Sequence, residues 1–349
     1  MLKRRASRPI QVGSVTVGGA GNVIVQSMTK TNTRNAKATL DQITQLADAG
    51  CEIIRIAVPD AEAAGALAEI KRNAPIPIIA DIHFDHRLAI SSMENGVDQV
   101  RFNPGNIQNA DHVASIVRTA KERSIPLRIG VNAGSLAHER DEGDLASKMS
   151  EAALKQIQLL ESMDFDLIEV SLKASDVIIT IEANKAIAEK MPYPLHIGVT
   201  EAGLPKAGSI RSAVGLGTLL YLGIGDTIRV SLTTPDPREE VLAGYEILKS
   251  LELRERGPRL VSCPTCGRCE ARGFYEIANT VEEQLSKMET PITVAVMGCV
   301  VNGPGEAKDA DVGLACGKGK GVIFKKGEKV RTVEEPDFLA ALMKEVNTL

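Results

Sequence analysis

The chain has 349 residues, 44% hydrophobic and 25% charged, with 41 Lys and Arg against 45 Asp and Glu for a formal charge of −4. This is a globular composition, long enough for one large domain and one small one. The mild acidity excludes a general nucleic-acid binder, and 3% aromatics with no Trp exclude a base-stacking platform. No apolar run approaches the roughly 18–20 residues of a membrane span. The basic start Met1-Leu2-Lys3-Arg4-Arg5 leads into no apolar stretch of the secretory type. A cytoplasmic protein without a membrane or nucleic-acid partner is expected.

Taken in order, Ile10 to Val17 alternates apolar and small residues and Gly18-Gly19 turns the chain, which predicts a short hairpin. A rhythm follows. Runs rich in Val and Ile recur at residues 23–28, 53–58, 78–83, 100–103, 127–132, 167–172, 195–200 and 227–232. Between and after them, helical periodicity marks residues 39–49, 61–72, 87–95, 111–123, 145–163, 176–190, 211–222 and 238–251. Eight buried strands alternating with eight helices predict an α/β fold of the (β/α)8 TIM-barrel type, here residues 1–256. An open doubly wound sheet is the alternative, but no G-x-G-x-x-G follows an early strand.

Nearly every run ends in a polar group: Ser27, Arg55, Asp81 with His83, Arg101 with Asn103, Arg128 with Asn132, Ser171 with Lys173, Thr200 with Glu201, and Arg229 with Ser231. In a barrel those ends surround one mouth, where active sites of this fold sit. Taken singly, each reads equally well as a cap for the next helix. Arg55, Arg101, Arg128, Lys173 and Arg229 would all point into the same cavity. Grouped cations are costly to desolvate unless an anion sits among them, and guanidinium forks match phosphate oxygens. A phosphorylated small molecule is the expected ligand; separate ion pairs with neighbouring carboxylates are the alternative.

Gly257-Pro258 marks a boundary, and residues 257–349 are predicted to form a small α/β domain. It holds a helix near Val281–Lys287, a strand from Thr293 to Val296, a hairpin turning near Lys326-Gly327 and a final helix from Pro336 to Val346. Five of the six cysteines lie in it: Cys263, Cys266, Cys269, Cys299 and Cys316. A C-x-x-C turn brings two thiolates together for zinc or iron–sulfur ligation. In a chain of this kind that reading outweighs a disulfide. Spacing leaves three arrangements open: a ferredoxin-like run from Cys263, Cys266 and Cys269; a four-thiolate zinc site adding Cys299 and Cys316 to Cys263 and Cys266; or Cys263, Cys266 and Cys299 with a non-thiolate partner from residues 303–306.

Six motifs in order carry a resemblance that spans the chain nearly end to end. They are Ile79-Ala-Asp-Ile-His83, Asn103-Pro-Gly-Asn106, Arg128-Ile-Gly-Val-Asn132, His196-Ile-Gly-Val-Thr-Glu-Ala-Gly203, Ser262-Cys-Pro-Thr-Cys-Gly-Arg268 and Met297-Gly-Cys-Val-Val-Asn-Gly-Pro-Gly-Glu306. Together they resemble the bacterial 4-hydroxy-3-methylbut-2-enyl diphosphate synthase family. The resemblance implies a [4Fe–4S] cluster held by Cys263, Cys266, Cys299 and the Glu306 carboxylate, with Cys269 and Cys316 outside the ligand set. It implies 2-C-methyl-D-erythritol 2,4-cyclodiphosphate as substrate, reductively opened in the methylerythritol phosphate route to isoprenoids, with a flavodoxin or ferredoxin as electron donor.

On this reading Arg55, Asp81, Arg101, Asn103, Arg128, Asn132, Lys173 and Ser231 bind substrate, Glu201 is the acid/base, and Glu306 is both ligand and catalytic group. Arg101→Ala and Arg128→Ala are both expected to weaken binding more than folding. A homodimer in which each cluster domain caps the partner's barrel is expected too. Two other readings stand beside it: a zinc-stabilised anion-binding barrel without redox chemistry, and a pterin-binding barrel like dihydropteroate synthase, which has no cluster domain.

Overall fold

The computed structural model describes residues 2–19, 21–103, 106, 107, 109–136, 144–269, 271–299, 305 and 307–349. It divides into two compact units, Met1–Arg254 and Glu255–Leu349.

The first unit opens with an antiparallel hairpin, β1 (Ile10–Val12) and β2 (Val15–Val17). Its turn is at Gly13, not at Gly18-Gly19. Gly13 has φ +56°, and a Cβ there would lie 2.7 Å from Asp98 Oδ1, so only glycine serves both the left-handed turn and the close approach. Ile10, Val12 and Val17 pack on Ile24, Ile53 and Ile79, closing one end of the barrel with apolar side chains.

Parallel strands and helices then alternate. They are β3 (Ile24–Met28), α1 (Ala36–Asp48), β4 (Ile53–Ala57), α2 (Ala61–Asn73), β5 (Ile78–Asp81), α3 (His86–Glu94), β6 (Gln99–Phe102), α4 (Ala110–Arg123) and β7 (Leu127–Asn132). After them come α5 (Ala133–Leu136), α6 (Leu145–Ser162), β8 (Ile168–Lys173), α7 (Val177–Ala188), β9 (His196–Ile197), α8 (Pro205–Tyr221), β10 (Thr227–Ile228) and α9 (Arg238–Ser250).

The strand order is β8-β7-β6-β5-β4-β3-β10-β9, and a parallel bridge between Val170 and Leu195 joins the two ends, making the (β/α)8 TIM barrel. Local chemistry explains the helix starts. Asn35 and Asp60 cap α1 and α2 by accepting from Ala38 N–H and Ala63 N–H, each at 3.0 Å. α8 starts at Pro205, two turns before the predicted Arg211. Proline at the first turn is pre-set for a helix, and the weakly amphipathic Lys206–Ile210 stretch hides the periodicity.

The second unit is a five-stranded sheet in the order β11 (Arg259–Ser262), β12 (Thr293–Met297), β13 (Val312–Cys316), β14 (Lys320–Lys325) and β15 (Glu328–Glu334). The first three strands run parallel and the last three antiparallel. α10 (Phe274–Leu285) and α11 (Phe338–Val346) bury Phe274, Val281, Leu285, Phe338 and Leu342 with Val294, Val296, Leu314 and Ile323 of the sheet. Sequence patterning misses β11, a partly exposed edge strand, and β13, whose small Gly313 gives way to the Phe324 ring (2.7 Å from an added Cβ to Cε2). Among the described residues no helix is long and apolar enough to cross a membrane.

Candidate functional site

The C-terminal ends of the barrel strands line a cavity of about 210 Å³. Among the described residues its walls carry Arg55, Arg101, Arg128, Lys173 and Arg229, with Asp81 as the one acid, and with His83, Asn132, Ser171 and Thr200 as further polar residues. Asp81 accepts from Arg101 Nη1 at 3.0 Å and lies 3.6 Å from Arg55 Nε. Burial by itself would raise the Asp81 carboxyl, but Arg55 and Arg101 outweigh it and hold it below its ordinary value. Arg55 also donates from Nε and Nη2 to the Met28 thioether at 3.2 and 3.0 Å. Burial and the neighbouring guanidiniums pull Arg55 down to about 9, against the opposing pull of Asp81, so it stays charged at neutral pH. Arg229 is lowered chiefly by burial. Its Nε is buried without a hydrogen-bond partner among the described residues. A buried guanidinium N–H with no acceptor is costly, and an anion in the cavity would supply one.

Two glycines make this cation cluster fit. A Cβ on Gly130 of β7 would sit 2.6 Å from Arg101 Nη2 and 2.8 Å from its Cζ. A Cβ on Gly198 would sit 3.3 Å from both Cε and Nζ of Lys173 and 2.8 Å from the Arg229 carbonyl oxygen. Both occupy the second position of an Ile-Gly-Val triplet.

Beneath the cavity lies a layer of buried polar side chains. Arg128, 1% exposed, donates from Nε to Glu169 (2.7 Å), from Nη1 to Gln26 (2.9 Å) and from Nη2 to Gln99 (3.0 Å). Gln99 and Thr227 donate to Glu169 at 2.9 and 2.8 Å. His196 joins Thr227 through Nδ1 at 2.6 Å and Lys173 through Nε2 at 2.8 Å. None of Gln26, Gln99, Glu169 or Thr227 was singled out from sequence. The usable signal is a polar residue inside a run that otherwise reads as a buried strand, as in Ile24-Val-Gln-Ser-Met28 or Ile168-Glu-Val-Ser-Leu-Lys173.

Of the eight expected substrate-binding residues, Arg55, Asp81, Arg101, Arg128, Asn132 and Lys173 line the cavity. Asn103 and Ser231 do not. Asn103 is buried between Asn106 Oδ1, to which it donates, and Gln156 Nε2, from which it accepts, both at 3.2 Å. Ser231 lies on the segment after β10, next to Leu232, whose N–H is held by Glu240 at 2.9 Å. Glu201 is exposed, with φ +53°, immediately after the cavity residue Thr200.

In the second unit, parallel pairing of β11 with β12 puts Ser262 beside Val296, so Cys263 and Gly298 emerge side by side. Gly298 N–H donates to Cys263 Sγ at 3.0 Å, and a Cβ on Gly298 would lie 2.8 Å from Cys269 Sγ and 3.1 Å from Cys263 Sγ. Cys266 is exposed, Cys299 is half-buried and Cys316 is buried. Burial, reinforced by nearby Cys269 and Cys263, pushes the Cys316 thiol up to about 12. That makes it a poor thiolate donor. Glu306, with Gly303 and Pro304, lies outside the described residues. Among the described residues no three ligating side chains converge on one metal position. The donors nonetheless suit iron: several thiols at adjacent strand ends, one already accepting the N–H···S hydrogen bond that tunes iron–sulfur sites.

A family described as GcpE TIM-barrel domain matches residues 7–245, and one described as GcpE protein C-terminal domain matches residues 259–348. The chain is 59% identical over 350 residues to a Dehalococcoides mccartyi protein named 4-hydroxy-3-methylbut-2-en-1-yl diphosphate synthase (flavodoxin), covering 100% of each. A Geobacter sulfurreducens protein of the same name is 55% identical, covering 98% of each. Among solved structures, Yersinia pestis dihydropteroate synthase matches 70% of this chain and 98% of its own at 12% identity and a TM-score of 0.52, a likeness of barrel fold alone.

Proposed function

The chain belongs to the GcpE family of 4-hydroxy-3-methylbut-2-en-1-yl diphosphate synthases, and from that premise we propose that it reductively opens 2-C-methyl-D-erythritol 2,4-cyclodiphosphate to 4-hydroxy-3-methylbut-2-enyl diphosphate, a step of isoprenoid biosynthesis. The observation that carries the substrate class is the cavity lined by four arginines and Lys173, with an Arg229 Nε that has no hydrogen-bond partner among the described residues. Arg55, Arg101, Lys173 and Arg229 bind the diphosphate, with Asp81 spacing Arg55 and Arg101. Arg128 braces the floor and adds its charge. Glu201, at the rim, moves a proton to or from the substrate carbons or the departing hydroxyl. Asn103 and Ser231 act from the surrounding loops.

Cys263, Cys266, Cys299 and Glu306 are the residues we assign to a [4Fe–4S] cluster. When bound, such a cluster supplies low-potential electrons one at a time. A carboxylate in place of a fourth thiolate is a hard ligand on a soft-ligand site and the one most easily exchanged. The electron donor we propose is a flavodoxin, which the relatives' names include, or a ferredoxin.

A homodimer is proposed as well. α8, its cap residue Leu222 and α9 leave Ile210, Val214, Tyr221, Leu222 and Leu242 exposed on the outside of the barrel, apolar side chains that a second copy would cover. The functional test is turnover of the cyclodiphosphate by anaerobically purified protein with reduced flavodoxin. Brown protein with broad visible absorbance and diphosphate product is expected; colourless, zinc-containing, inactive protein would favour the non-redox reading.

A further inference from the structure

Beneath the cavity runs a set of hydrogen bonds in which the roles assigned above use only Lys173. Glu169, Thr227, His196 and Lys173 form a continuous hydrogen-bonded chain across the seam where β8, β9 and β10 meet. Its direction follows from counting protons. Glu169 Oε2 accepts from Gln99 and Arg128, and Oε1 accepts the Thr227 hydroxyl proton. With that proton committed, Thr227 Oγ1 has only lone pairs left for His196 Nδ1, 2.6 Å away, so Nδ1 carries the hydrogen. The Nε2 lone pair of the neutral ring then faces Lys173 Nζ at 2.8 Å.

We propose that Glu169, Thr227 and His196 are positioning residues that hold Lys173 as a proton seat, so that entry of a dianionic cyclic diphosphate draws a proton from solvent onto the Lys173 amine. This rests on the anion cavity proposed above. Among the described residues the groups facing the pair are Arg55 from β4, Asp81 and His83 from the β5 end, Arg101 from β6, Arg128 from β7, Glu169 from β8 and Arg229 after β10, while Glu240 of α9 acts on Arg229. The carboxylates are committed elsewhere, Asp81 to Arg101 and Arg55, Glu169 to Arg128, and Glu240 to Lys30.

Burial first, then Arg55, Arg229, Arg128 and Arg101, push Lys173 well below its ordinary value. Burial and then Lys173, Arg128, Arg55 and Arg229 do the same to His196. A bound anion offsets the positive field of these guanidiniums and so favours the charged form of the amine. The amine nitrogen gains a proton from solvent and no bond in the ligand breaks. His196 Nε2 accepts one hydrogen of the resulting ammonium, leaving the others for phosphate oxygens.

The test is isothermal titration calorimetry on cluster-loaded protein, anaerobic and without an electron donor, with the cyclodiphosphate near neutral pH in buffers of different ionisation enthalpy. Each phosphorus of this ligand carries a single strongly acidic oxygen, so the ligand itself does not titrate there. Wild-type heats should vary with buffer and report net proton uptake on binding. Lys173→Met should abolish the uptake while the arginines retain weaker binding. Thr227→Val should cut the uptake and weaken binding about tenfold or more, and Thr227→Ser should keep both.

Binding whose heat does not vary with buffer overturns the proton seat and leaves the anion cavity standing. Undiminished uptake in Thr227→Val overturns the positioning chain. Failure of wild-type protein to bind the cyclodiphosphate overturns the anion cavity and the inference with it. Nitrogen NMR of histidine-labelled wild-type protein needs no variant: a neutral His196 with its hydrogen on Nε2 contradicts the chain.

Discussion

A Cβ added to Gly130 would lie 2.6 Å from Nη2 of Arg101, so the guanidinium lies across β7 where any side chain would stand. Gly130→Ala should therefore displace Arg101 and disturb little backbone, because what moves is the end of a flexible side chain. A charge-assisted hydrogen bond is worth about 1.5–3 kcal/mol, so KM for the cyclodiphosphate should rise about tenfold or more, with the iron content unchanged. Steady-state kinetics check this, and an unaltered KM would remove Arg101 from the anion site.

Arg101 and Arg128 should part company on mutation. From sequence both are expected to affect binding far more than folding. Arg128, however, is 1% exposed and satisfies Glu169, Gln26 and Gln99 at once. Arg128→Ala strands the fully buried Glu169 carboxylate, and breaking a buried pair from one side costs about 3–5 kcal/mol. Denaturant unfolding should show that loss for Arg128→Ala and a smaller one for Arg101→Ala.

Glu201→Gln should leave cluster absorbance and iron content intact and lower kcat by about 10²–10⁴-fold, the usual contribution of a proton-transfer group. The carboxylate is exposed and next to the cavity lining, so the substitution removes the proton without opening a void. Loss of iron in this variant would make Glu201 a structural residue.

The cysteines separate by variant. Cys263→Ser, Cys266→Ser and Cys299→Ser should each lose most of the iron, because each removes a soft anionic ligand. Cys316→Ser should keep it, since that thiol is buried and held protonated. Cys269→Ser should also keep it, although Cys269 Sγ stands as near the Gly298 position as Cys263 Sγ does. Glu306→Ala should give a labile cluster and almost no turnover. An intact four-iron spectrum in Glu306→Ala together with iron loss in Cys269→Ser would move the fourth ligand to Cys269.

The alternation of strands and helices, the polar strand ends and the cysteine clustering are all written in local order. A buried parallel strand must be a short apolar run, and a surface helix must show its period. For that reason the barrel, most of its cavity residues and the family resemblance are legible in sequence, and Arg101 and Lys173 can be named from where their strands stop.

What the tertiary structure alone decides is which polar groups meet. Gln26, Gln99, Glu169 and Thr227 lie on four different strands, yet they close around Arg128 and His196 because the barrel brings inward-facing positions to one level. The same closure makes Gly130 and Gly198 spaces for cations instead of flexible points in a strand. Along the chain a lone Gln or Glu in an apolar run looks like an exception. In the folded barrel its partners arrive from up to 102 positions away, as Gln26 does for Arg128, and a buried charge can be kept only where such partners converge.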